Sequence, residues 1–198
     1  MTGIRKRKLS LSFNAPVILG FTALCLIAQV LNMLTGGASN RAVFSVYRSS
    51  LADPLTWVRL IGHVFGHAGW DHLFGNLMYI LILGPMIEEK YGPRSTVLVI
   101  AATAVVTGAV NMVFFPNAML LGASGVVFAM ILMASVTSRE EGTIPVTFIL
   151  VALMYIGQQV WQGVTQQDNV SQLTHIVGGA VGSLLGFLLQ GAKKKSRF

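Results

Sequence analysis

The sequence predicts an all-α membrane protein: one bundle of six transmembrane helices, a partly embedded loop (L1) after the first, and a short fourth helix. Three observations predict it. Hydrophobic residues make up 54% of the 198 positions and charged residues 11%, where a soluble domain carries about a quarter charged. Apolar stretches cover 15–34, 71–88, 95–115, 124–138, 144–161 and 173–190, against the roughly 17–25 residues that a span needs. Basic residues also gather at alternate connections, as the positive-inside rule requires of a multi-pass chain.

Residues 1–14 form a basic cytoplasmic N-terminus with Arg5, Lys6, Arg7 and Lys8. The apolar run behind them is too long for a signal-peptide core and lacks a convincing cleavage site, so it reads as an uncleaved first span. It contains Cys25, the only cysteine, which excludes a disulfide framework and a thiolate metal site. Residues 35–70 open with Gly36-Gly37 and mix serines, Pro54, Trp57 and Trp70 with Leu60, Ile61, Val64 and Phe65. Irregular backbone cannot face lipid, so this segment rests at the interface or is buried in protein.

The second span is followed by Lys90 and Arg94, and the third ends at Phe115-Pro116-Asn117. The fourth has only about fifteen residues between Ser124 and Arg139; at 1.5 Å per residue it is too short for a core of about 30 Å. Starting from the cytoplasmic side, it ends below the outer surface, and 115–123 dips inward to meet it. Gln158, Gln159, Trp161 and Gln162 crowd the outer end of the fifth span. The sixth carries Gly178, Gly182 and Gly186 on one face, a small-residue pattern for close helix packing. A basic cytoplasmic tail, 191–198, closes a chain whose residues 15–190 form a single six-helix membrane domain. The net charge of +7 therefore marks topology and gives no reason to expect a nucleic-acid partner; Arg41, Arg48 and Arg59 fall on the opposite side.

Gly122-Ala123-Ser124-Gly125 places a serine at the mouth of the short helix, and His175 lies near the outer end of the sixth. A serine becomes a nucleophile when a base reaches it, and the glycine face lets the two helices approach. Alone, the serine motif also fits a small-residue helix contact. His72 and Asn76, four apart, share a face near the outer end of the second span and could donate hydrogen bonds beside the Ser124 amide. Asn76 alone equally fits an interhelical hydrogen bond. His63 and His67, also four apart, have metal or haem-pair spacing, and Asp71 reads as a helix cap.

Together, His72-x-x-x-Asn76, Gly122-x-Ser124-Gly125 and His175-x-x-Gly178-x-x-x-Gly182 resemble, in order and spacing, the rhomboid intramembrane serine proteases of the minimal six-helix bacterial type. The resemblance covers nearly the whole chain. It implies a rhomboid-like bundle and a Ser124/His175 dyad without a third carboxylate. It also implies an oxyanion site of the Ser124 amide, His72 and Asn76, with Phe128 packed against His175. Arg59 takes the loop-anchoring position, His67 bonds within the embedded loop, and Glu88, four after Gly84, makes a structural contact at the cytoplasmic boundary. Trp161 lies where substrate entry is gated. The implied substrates are single-pass transmembrane proteins in the bilayer, cut near the outer interface with no cofactor and no metal, in a bacterial inner membrane with both termini cytoplasmic. A catalytically inactive rhomboid-like protein that binds transmembrane helices is the alternative.

The chain departs from the family pattern in three places. Gly75 replaces a bulky apolar residue, Thr174 replaces an alanine, and Val58 stands where a tryptophan usually precedes Arg59, Trp57 being offset by one. Gly75 is expected to loosen packing between the second and fifth spans and so ease substrate entry.

Overall fold

The computed structural model describes residues 13–137, 143–166 and 169–195. Arg5, Lys6, Arg7, Lys8, Arg139 and Arg197 lie outside the described residues, as do the side chains of Gln158, Gln159 and Gln162. The described residues form helices α1 (Pro16–Leu34), α2 (Ala38–Ala42), α3 (Pro54–Gly62), α4 (Trp70–Tyr91), α5 (Pro93–Phe114), α6 (Ser124–Val136), α7 (Val146–Gln166) and α8 (Asn169–Lys195). Three regions are long and apolar enough to cross a membrane: α1, α5 and residues 172–189 of α8. The protein is therefore a multi-pass membrane protein. α4 matches α5 at 22 residues but carries Asp71, His72, Asn76 and Glu88, which dilute its hydropathy.

Local sequence explains the helix starts. Proline opens α1, α3 and α5, where its fixed φ suits the first turn and its missing N–H costs nothing. Asp53 caps α3 by accepting from the Leu55 amide. Asp71 does not play this part for α4: the capping position is Gly69, and Asp71 sits inside the first turn, where its charge favours the helix dipole. Gly92, at φ 87°, ends α4 and starts α5, a conformation that glycine adopts without Cβ strain.

The centre of the bundle is α6, which packs against α4, α5, α7 and α8. Its Val126, Ala129, Met130, Met133 and Val136 are fully buried. Thirteen residues give it a length of about 20 Å. On one side it meets α8 almost backbone to backbone: a Cβ at Gly178 would strike the Gly125 carbonyl, and one at Gly182 would strike the Ala129 carbonyl. At Gly186 a Cβ would come 2.7 Å from the Val136 side chain.

At the far end, both Glu88 carboxylate oxygens accept from the first turn of α1, from Val17 and Ile18 amides at 3.0 Å. A carboxylate there satisfies two amides that have no partner within the helix and sits at the positive end of its dipole. Gly84, one turn away, lets Ile18 lie against α4. Lys90 donates to the Thr137 carbonyl at the end of α6, which ties the short helix to α4.

Adding one methyl group to the α6–α8 seam should therefore unseat both backbones. Gly182→Ala is expected to lower the stability of the purified protein by about 1–3 kcal/mol, read as a fall in thermal unfolding midpoint in detergent. Gly20→Ala, where nothing lies within 4 Å of the added carbon, should leave the midpoint unchanged or raise it.

Candidate active site

Ser124 is the first residue of α6, so its position is set by the turn before it. Gly122 has φ 129°, a region that side-chain-bearing residues rarely enter. A Cβ there would also lie 3.0 Å from Nε2 of His72. Glycine is needed at 122 on both counts.

The approach to that turn is held from the segment after α2. Val46 and Leu120 exchange both backbone hydrogen bonds, at 2.8 and 2.9 Å, and the Gly122 amide donates to the His63 carbonyl at 2.9 Å. Asn111, buried near the end of α5, donates to the carbonyls of Val46 and Ala118. Arg48 donates to the carbonyls of Met112 and Val113 at 2.8 and 2.6 Å, which caps the helix from which the loop emerges. Arg59, buried, donates to the Ala42 carbonyl and to Asp53 and lies over the Tyr47 ring.

His175 comes from α8, one turn before Gly178, and its Nε2 lies 2.8 Å from the Ser124 hydroxyl oxygen. Its ring packs on Phe128 at 4.6 Å between centroids, and Phe128 packs on Tyr155 at 4.2 Å. Three aromatic rings from α8, α6 and α7 thus fix the imidazole plane. Tyr155 is the member that sequence reasoning missed. The only signal for it was one tyrosine in an otherwise aliphatic run.

His72 and Asn76 lie one turn apart near the N-terminus of α4, yet they differ in orientation. The His72 ring lies against Gly122, beside the serine, and edge-on to His67 at 5.1 Å. Asn76 is buried and donates to the carbonyl of His72, one turn back on its own helix, at 3.0 Å. One of its two amide donors is thus committed to the backbone. The first amides of α6 have no acceptor within the helix and lie at the positive end of its dipole, so Ser124 supplies a donor of its own beside the hydroxyl.

His63 and His67 serve the loop and go to different partners. His67 Nδ1 lies 3.1 Å from the Phe65 carbonyl and must carry the proton, which leaves Nε2 to accept from the Ala123 amide at 3.5 Å. Asn40 in turn donates to the His67 carbonyl at 2.9 Å. His63 Nε2 lies 3.4 Å from the Thr107 hydroxyl. Burial pushes both histidines down to about 4, reinforced at His67 by the neighbouring His72. Both are neutral in the fold at ordinary pH. Among the described residues no group of three or more metal-ligating side chains comes together.

Gly75 faces open space, with nothing within 4 Å of a Cβ built on it, and α7 takes its packing from α6 and α8. Trp161, near the end of α7, is 69% exposed.

Short helix, half-buried serine and adjoining histidine define a multi-pass membrane protein with a serine–histidine pair inside its helical bundle. The Rhomboid domain family model matches residues 54–192, and the chain belongs to the rhomboid family. It is 26% identical over 147 residues to Rhomboid-like protein 11, chloroplastic, of Arabidopsis thaliana, which covers 67% of this chain and 52% of that protein. It is 26% identical over 169 residues to the rhomboid protease GluP of Bacillus subtilis, covering 80% and 32%. With the rhomboid protease GlpG of Haemophilus influenzae it shares 26% over 197 residues, 94% of this chain and 97% of that one. The chain thus spans about half and about a third of the first two relatives.

The neutral histidines make stability depend on acid. Unfolded, each titrates near pH 6.5; folded, near 4. Between those values the unfolded chain binds more protons, so their contribution is complete above about pH 6.5 and lost as pH falls towards 4. A proton on His67 Nε2 would turn a donor on the Ala123 N–H. Thermal unfolding midpoints should therefore drop between about pH 6.5 and 4, and His67→Gln, which keeps an acceptor without titrating, should show a shallower drop.

Proposed function

We propose that the protein is an intramembrane serine endopeptidase that cleaves single-pass transmembrane proteins near the outer membrane interface through a Ser124–His175 dyad. The observation that carries this reading is the 2.8 Å contact between His175 Nε2 and the Ser124 hydroxyl, made inside a bundle of the rhomboid family. Relatives named rhomboid proteases support the class.

His175 takes the hydroxyl proton as the serine oxygen attacks the scissile carbonyl, and the carbonyl electrons move onto oxygen. The Ser124 amide and His72 stabilise that oxyanion, joined by Asn76 once its side chain swings from the backbone carbonyl that holds it. Collapse of the intermediate expels the amine, which takes its proton from His175; water, deprotonated by the same imidazole, then releases the acyl group. The Phe128–Tyr155 stack holds the imidazole in the orientation that an aspartate fixes in a triad.

A helical peptide keeps its carbonyls in internal hydrogen bonds, so a substrate must unwind where it meets Ser124. The topology that goes with this reading has six spans, α1, α4, α5, α6, α7 and α8, with residues 35–69 embedded at the outer face. Both termini are cytoplasmic, and the setting is a bacterial inner membrane. Substrate enters beside Gly75 and Trp161.

Cleavage of a reporter transmembrane substrate in proteoliposomes should be abolished in Ser124→Ala and His175→Ala. Asn76→Ala should retain activity reduced by about 100- to 1,000-fold. Comparable cleavage by Ser124→Ala and the parent would exclude the serine mechanism. Gly75→Phe should slow cleavage by filling the open space on α4; an unchanged or faster rate removes Gly75 from the entry route.

A further inference from the structure

A cavity of about 290 Å³ opens beside the C-terminal ends of α1 and α5, lined by Arg41, Tyr47, Pro116, Asn117, Ala118 and Met119. Its size is near the lower end of small-molecule pockets, about 300–1,000 Å³. One wall is α2 with the segment after it and the other is the loop that leads to Ser124. The two walls are joined just below by the Val46–Leu120 backbone pair.

Arg41 is the charged group of this cavity and its side chain is exposed. Among the described residues the one ion pair is Arg59 with Asp53, and no described carboxylate pairs with Arg41. Its neighbour Tyr47 donates its hydroxyl to the Arg41 carbonyl at 3.4 Å and carries the Arg59 guanidinium over its ring, which fixes that wall. Asn117 also lines the cavity. A second cation, Arg48, sits at the adjoining end of α5 with two of its donors on carbonyls, and its charge adds to the local field.

We propose that this cavity binds a phosphate group, that of an anionic phospholipid headgroup in the outer leaflet. A guanidinium presents paired N–H donors matched to phosphate oxygens, and Asn117 adds another. The level fits a headgroup, because the cavity lies beside the C-terminal ends of α1 and α5, two helices long enough to cross a membrane. An occupied cavity bridges Arg41 to the loop at 116–119 and steadies the approach to the Gly122 turn. That consequence for catalysis, and the choice of leaflet, rest on the proposed peptidase and its topology; binding of the headgroup does not.

The test is lipid retention by the full chain in detergent, measured by native mass spectrometry while phosphatidylglycerol or phosphatidylcholine is titrated in. Phosphatidylglycerol should be held at least about tenfold more tightly, the order of one charge-assisted contact. Arg41→Gln should remove that preference, Arg41→Lys should keep part of it, and Arg94→Gln, at the opposite end of α5, should keep all of it. Equal preference in Arg41→Gln and the parent overturns the site. Displacement of the lipid by millimolar inorganic phosphate overturns the lipid source and assigns a soluble phosphate. In proteoliposomes, phosphatidylglycerol should raise the cleavage rate of the parent and not of Arg41→Gln. Loss of all cleavage in the parent would count against the peptidase reading alone, since retention is read without it.

Discussion

The structure depends on the approach of α6 and α8, backbone against backbone at Gly178 and Gly182. Helices in a bilayer gain nothing from excluding water, since lipid tails are as apolar as leucine, and they associate where backbones can come close. Gly178 and Gly182 on α8 rest on the carbonyls of Gly125 and Ala129. That spacing fixes where His175 can stand, one turn above Gly178, and where Ser124 can stand, immediately before Gly125. The hydrogen bond between them follows from the seam.

A second constraint acts from the other side. A thirteen-residue helix is only about 20 Å long, and Gly122 and Ala123 before it are buried in the bundle, where every backbone group needs a partner. Residues 40–67 supply those partners through the Val46–Leu120 pair, the His63 carbonyl, the His67 imidazole and Asn40 behind it. The segment after α1 thus serves as the wall against which the serine turn is built. A neutral histidine at 67 suits this work because it donates and accepts at once without bringing a charge into a buried place.

Much of this was legible in the sequence. The apolar runs gave the long helices, and the glycine spacing gave the face of α8 that meets α6. The serine and histidine could be paired because each lay at the outer end of its helix. Other features turn on contacts between parts distant in sequence or on a choice of rotamer. The spacing of His72 and Asn76 set their shared face, yet whether Asn76 points across the bundle or back at its own helix is a torsional choice that spacing does not encode. Tyr155 lies in an apolar run with nothing to mark it, and its role exists only because Phe128 packs between it and His175. Asp71 looked like a cap because acidic residues favour helix starts, but Gly69 in extended conformation already ends the loop.

The central claim is that the α6–α8 seam makes Ser124 a nucleophile. Treating the protein in a bilayer with a fluorophosphonate and mapping the adduct by peptide mass spectrometry tests it most directly. The account predicts a single adduct on Ser124, absent in His175→Ala and much reduced in Gly182→Val. An adduct on another residue, or undiminished labelling of Ser124 in His175→Ala, would contradict it.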